Sequence, residues 1–172
     1  MIKLTNRTTP RLLPYIFVLA FISGVSVGSL VARFSASGNV VSATSGEALY
    51  VFTRSFSAFI KPCLLIWFFG FSRFSEYISS GVIAYRGALF GFVNTCIFSK
   101  LGFFDGFVPS IAASLPHNLV FFPFLIFLSL SAARKTKKPF GYILILALAI
   151  VICSLSALTD TYITAFFIRL LL

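Results

Sequence analysis

The residues of this chain that could do chemistry lie close together in sequence. Arg86 stands alone in a long apolar run, and Pro116, His117, Asn118 and Pro123 interrupt the next one. An arginine at membrane depth is costly and normally faces protein or water. Proline removes one hydrogen bond from the helical ladder. These residue types therefore predict a polar feature inside an otherwise apolar hairpin.

His117 is the single histidine, and the sequence offers it no catalytic partner. No Asp, Glu or Cys lies at helical spacing from it, and Ser110 and Ser114 lie outside a nucleophile motif such as GxSxG. We therefore expect His117 to be a hydrogen-bonded structural residue, and the protein to be a non-enzyme without a cofactor or metal site. All four acidic residues fall at the ends of predicted spans: Glu47, Glu76, Asp105 and Asp160.

Arg86 admits two interpretations. It faces a polar cavity or a partner, or it snorkels to the interface, since it follows Tyr77 by nine residues and its side chain is long. A buried Arg86 needs acceptors, and the candidates are Asn94, two turns further on, and carbonyls freed by proline. Gly87 and Gly91 would give the same helix a face for close packing.

Three prolines recur at seven-residue intervals and would share nearly one helix face: Pro109, Pro116 and Pro123. In a continuous helix each proline frees the carbonyl four residues earlier, so neighbouring groups must satisfy Asp105, Ala112 and Leu119. We expect a helix break at residues 115–118, near the middle or outer third of the membrane. His117 and Asn118 are the nearest polar groups to it.

The composition is typical of a membrane protein. The 172 residues are 59% hydrophobic and 10% charged, with a mean hydropathy of +1.01, whereas soluble domains carry about a quarter charged residues. The net charge of +10 falls between apolar segments, so membrane lipids rather than nucleic acid are the expected counterions. The cysteines are separated in sequence and are expected to be small packing residues: Cys63, Cys96 and Cys153.

We predict a single all-α transmembrane domain over residues 1–172, a polytopic bundle of about five helices. The expected spans are residues 12–32, 48–71, 77–98, 107–132 and 139–158. The second begins at the interface, with Pro62 opening its embedded part, and the residues after 158 extend the fifth helix or lie along the interface. The distribution of basic residues predicts a cytoplasmic N-terminus and an outside C-terminus.

Gly24 and Gly28 form a GxxxG motif in the first span, which lets another helix approach closely. Packing within the chain is the favoured explanation. A homodimer through the glycine faces of the first and third spans is also compatible with the sequence.

Three short stretches together resemble the stage II sporulation protein M family. They are residues 85–92 (YRGALFGF), residues 100–102 (KLG), and residues 115–119 (LPHNL) followed by Pro123. The resemblance covers residues 62–132, and elsewhere only the number of spans and the length fit. It singles out these motif residues: Arg86, Gly87, Gly91, Pro116, His117, Asn118 and Pro123.

The resemblance implies a role in endospore formation. Members are similar to the membrane component of an assembly that acts during forespore engulfment with two peptidoglycan-degrading partners, a lytic transglycosylase and an amidase–endopeptidase. On this basis the chain would be a non-catalytic, multi-pass scaffold of the bacterial cell membrane, contacting those enzymes through its outward loop and helix ends. Relatives also occur in organisms that do not sporulate, so membership of the family does not by itself imply the sporulation role.

Two other functions stay open at this point. A small transporter or permease-like subunit could use proline-freed carbonyls and Arg86 as a substrate site, since interrupted helices are typical of transport sites. A membrane enzyme could use His117. The scaffold is the favoured hypothesis because of the family pattern and because the sequence shows no catalytic constellation.

Overall fold

The described part of the chain forms five long helices, and a short π-helical turn follows the fifth. The computed structural model describes residues 12–34, 48–72, 74–133, 139–164 and 166. The helices are α1 (Leu13–Phe34), α2 (Ala48–Phe69), α3 (Ser75–Leu101), α4 (Phe103–Ala133) and α5 (Pro139–Leu158), and the π-helical turn is Thr159–Thr164. Each of the five contains a segment long and apolar enough to cross a membrane. The predicted multi-pass helical bundle is therefore confirmed.

The third and fourth helices are longer than the sequence suggested because their connection is a single residue. Gly102 has a φ of +81°, a conformation that favours glycine, and its N–H donates to the carbonyl of Phe98 at 3.0 Å. The next helix begins at once, so Asp105 lies in the first turn of α4 rather than in a loop. There its carboxylate meets the positive end of the helix dipole.

Helices α1 and α3 pack in parallel with their backbones in close contact. A Cβ at Gly24 would collide with the Ala84 carbonyl, and one at Gly28 would collide with the Ala88 carbonyl. The contact is mutual, because a Cβ at Gly87 would collide with a carbonyl of α1. The structure confirms the favoured explanation of the GxxxG motif, which is packing between two helices of the same chain. In the described residues, this packing within the chain covers both glycine faces.

Helices α2 and α5 run antiparallel and are tied together at one end by two aromatic residues. The Trp67 indole N–H donates to the Tyr142 carbonyl at 3.0 Å, and the Tyr142 hydroxyl donates to the Trp67 carbonyl. Their rings stack with centroids 5.1 Å apart. Further along the same interface, the buried thiols of Cys63 and Cys153 lie 3.7 Å apart and are both free. These cysteines pack together, a contact that their spacing in the sequence did not predict.

Helix α4 contacts each of the other four helices. Its inward face supplies much of the core: Phe121, Phe124, Leu125 and Leu128 are buried. The helix is continuous from Phe103 to Ala133 with three prolines inside it. The expected break at residues 115–118 is therefore wrong. Transmembrane helices tolerate proline where neighbouring groups replace the missing hydrogen bonds.

Asn118, one of the two polar residues expected to serve the break, has a different partner. The Asn118 amide donates to the carbonyl of Ser114 at 2.6 Å, which is not one of the carbonyls that the α4 prolines free. Pro62 lies inside α2, which runs from Ala48 to Phe69 and so begins before Lys61, as the sequence predicted.

The close packing of α1 on α3 predicts opposite outcomes for one substitution at two glycines. Gly24→Ala forces a methyl group against a backbone carbonyl, so the free energy of unfolding falls by about 2 kcal/mol. Gly81→Ala is the matched control, since no atom lies within 4 Å of the added Cβ, and better helix propensity raises stability by about 1 kcal/mol. Unfolding in mixed micelles, followed by the single tryptophan, measures both. Equal effects at the two positions would contradict the packing.

Candidate functional site

Arg86 lies near the middle of α3 and points between helices rather than toward the interface. Its guanidinium carbon lies 5.0 Å from the ring centroid of Phe59 on α2 and 4.7 Å from that of Phe121 on α4. This sandwich is the geometry of a cation–π contact on two sides. Of the two interpretations of Arg86, the structure has the one in which it faces the protein.

The guanidinium also donates a hydrogen bond to the carbonyl of Ala58 on α2. That carbonyl would normally accept from the N–H of residue 62, but residue 62 is proline and has none. The sequence correctly predicted a proline-freed carbonyl as the acceptor of Arg86. It named the carbonyls freed by the α4 prolines instead, because no local pattern indicated that Ala58 and Pro62 on α2 lie beside Arg86.

The other predicted acceptor, Asn94, belongs to a separate polar group. Its side-chain carbonyl accepts from the hydroxyls of Ser110, and of Ser114 at 2.8 Å, both on α4. Its amide donates to the Phe90 carbonyl at 2.9 Å. These hydrogen bonds join α3 to α4 about two turns away from Arg86. In the described residues, the hydrogen-bond acceptor of Arg86 is therefore the Ala58 carbonyl and not Asn94.

His117 has an acidic neighbour that the sequence did not reveal. Its Nδ1 lies 3.4 Å from a carboxylate oxygen of Asp160, and the Ser55 hydroxyl donates to the other oxygen at 2.6 Å. Asp160 belongs to the π-helical turn, which continues the helical path beyond Leu158. Asp160 lies at the end of the fifth span, as the sequence predicted, and the π-helical turn packs there against α2 and α4. π-helical turns are often found at functional sites.

These groups line one cavity of about 340 Å³ between α2, α3, α4 and the π-helical turn. Its polar lining consists of Tyr50, Arg54, Ser55, Arg86, His117 and Asp160. Two arginines against one carboxylate make the lining net positive with the histidine neutral. Arg54 and Ser55 were not predicted as site residues, because in the sequence they look like ordinary polar residues of a half-exposed helix.

The arrangement favours binding over bond-breaking chemistry. The serine bonds the carboxylate rather than the histidine, so the order of nucleophile, base and orienting acid is not formed. Among the described residues, no group of three or more His, Cys, Asp or Glu side chains could hold a metal ion. What the cavity offers is positive charge with hydrogen-bond donors, which suits an anion.

The residues singled out in the sequence are thus divided between three places. Arg86 and His117 line the cavity, and Gly87 and Gly91 lie against α1. Asn118 bonds within α4 and is not part of the cavity lining. The other two predicted residues, Pro116 and Pro123, lie inside α4.

Comparison with known proteins gives no relative: no family model, curated protein or solved structure matches the chain. The resemblance to the stage II sporulation protein M family therefore rests on the residues quoted from the sequence.

The link between Pro62 and Arg86 predicts a coupling between them. Arg86→Met leaves the Ala58 carbonyl without a donor, whereas Pro62→Ala restores the N–H within α2. In the Pro62→Ala background, the cost of Arg86→Met should therefore fall by about 1–2 kcal/mol. A double-mutant cycle of unfolding free energies measures this difference, and additivity within about 0.5 kcal/mol would show that the two residues are not linked.

Proposed function

We propose that this protein is a non-catalytic membrane scaffold that anchors and localises peptidoglycan-degrading enzymes, acting in the bacterial cell membrane during forespore engulfment. The observation that carries the proposal is that the motif residues join helices to one another. Arg86, Gly87 and Gly91 hold three helices together. A motif that builds the framework fits a protein whose role is to present surfaces to partners.

The framework function of the motif is specific in geometry. Gly87 and Gly91 bring α3 into backbone contact with α1, and Arg86 joins the same helix to α2 on another side. Asn94 then joins α3 to α4 through two serines. Helix α3 is therefore fixed against three neighbours by side chains within about two turns, which supports a rigid core beneath the exposed helix ends.

The proposed partners are a lytic transglycosylase and an amidase–endopeptidase, by resemblance to the family. The expected contact surface is the outward loop between α1 and α2, of which residues 35–47 lie outside the described part of the chain. This loop would face the wall if the N-terminus is cytoplasmic, as the basic residues predict.

Site-directed photocrosslinking in native membranes tests this proposal. A photoreactive amino acid in place of Ser42, in the proposed outward loop, should capture peptidoglycan hydrolases from cells entering sporulation. The same amino acid in place of Thr136, in the basic loop between α4 and α5, is the matched control and should not capture them. Mass spectrometry identifies the captured proteins. Failure to recover any wall enzyme from position 42 would overturn the scaffold function.

A second candidate, a small transporter or permease-like subunit, is favoured by the cavity at Arg86. Its volume of about 340 Å³ and its positive lining would suit a small anionic solute. Capture of a cytoplasmic ATPase from position 136, with nothing from position 42, would favour this function over the scaffold.

A further inference from the structure

Arg86 carries a charge that no carboxylate of the described residues neutralises. The structure gives it one neutral carbonyl and two aromatic rings as partners. Its Nε is buried without a hydrogen-bond partner. Asp160 is engaged by Ser55 and lies beside His117. An inward-facing cation without a counterion is costly in a membrane protein, so an anion from outside the chain is a physical expectation.

The cavity beside Arg86 has room for such an anion. Arg54 lines the same space and adds a second positive charge one helical turn from Ala58. The volume of about 340 Å³ accommodates a small oxyanion such as a phosphate group, with space for a few waters. Arginine is well suited to this because its guanidinium can donate two parallel hydrogen bonds to one phosphate.

A second cavity starts where the first one ends. It is a groove of about 620 Å³ between α2 and α3, and Ala58 and Arg86 belong to the linings of both cavities. Most of its lining is apolar, including Pro62, Leu65 and Val82. Gly81 widens it, because no atom lies within 4 Å of the position that a Cβ would take.

The two cavities follow one another along α2. The polar cavity runs from Tyr50 to Phe59, and the apolar groove runs from Ala58 to Leu65. Since α2 has the length and hydropathy of a membrane span, the polar cavity lies toward one membrane surface and the groove toward the opposite one. A lipid in the leaflet at the first surface has the same order: its polar head group lies at that surface, and its hydrocarbon chain extends toward the opposite one.

We propose that the two cavities together bind one anionic membrane lipid with a small phosphate head group. The phosphate contacts Arg86 and Arg54 in the polar cavity, and the hydrocarbon chain lies in the groove between α2 and α3. A soluble anion would fill the first cavity only and would leave the groove unexplained. This proposal does not rest on the scaffold function. Recovery of wall enzymes and binding of a lipid are measured in separate experiments, so either proposal can fail alone.

Native mass spectrometry of the full chain in a neutral detergent tests the head-group contact, with hexadecyl phosphate as the probe. The wild type should bind one molecule saturably. Arg86→Gln should weaken binding by about tenfold or more, because hydrogen bonds to charged groups are lost. Lys100→Gln removes an exposed charge from the end of the same helix and should leave the affinity unchanged.

The groove is tested by a pair of glycine substitutions. Gly81→Leu fills the groove and should abolish saturable binding, whereas Gly141→Leu, on α5, is the control. Both added side chains start in open space, and unchanged fluorescence of the single tryptophan verifies that each variant is folded. Retained binding by Gly81→Leu would overturn the proposal. Hexadecanol binding as tightly as the probe would overturn the head-group contact, and inorganic phosphate displacing the probe at equal concentration would indicate a free-anion site instead.

Discussion

The carbonyl oxygen of Ala58 sets the central constraint on this bundle. Pro62 has no N–H to offer it, and a hydrocarbon environment has no water to replace the missing donor, so another helix must supply one. Arg86 does so, which fixes α3 against α2 and brings a positive charge to the middle of the bundle. Phe59 and Phe121 then flank the guanidinium, so α4 takes part in the same arrangement. One missing backbone hydrogen bond thus orders three helices.

Helix α1 holds Arg86 in this orientation although it makes no direct contact with the cavity. Gly87 and Gly91 lie in backbone contact with α1, and rotation of α3 would move side chains into that narrow space. The close contact on one side therefore orients the arginine toward the other side. In membranes such contacts depend on small residues, because van der Waals packing replaces the hydrophobic effect as the force between helices.

The same residues connect the fold with both proposals. A rigid scaffold requires helices that are held firmly together, and the motif residues hold α3 against its neighbours. The charge that remains on Arg86, between a polar cavity and an apolar groove, is what an anionic lipid would complement. The two functions are compatible, because a lipid held between α2 and α3 would strengthen one of the less extensive helix pairs of the bundle. His117 and Asp160 lie side by side in the lining of the same cavity.

The sequence by itself determined the membrane class, the five helices and the polar character of the region around Arg86 and His117. These follow from hydropathy and from the cost of polar groups in hydrocarbon, which are local properties. Only the tertiary structure decided the partners. Asp160 meets His117 and Pro62 faces Arg86 because helices distant in sequence pack side by side, and no spacing along one helix encodes that. The structure also shows that α4 stays helical through Pro116, where the proline pattern had predicted a break.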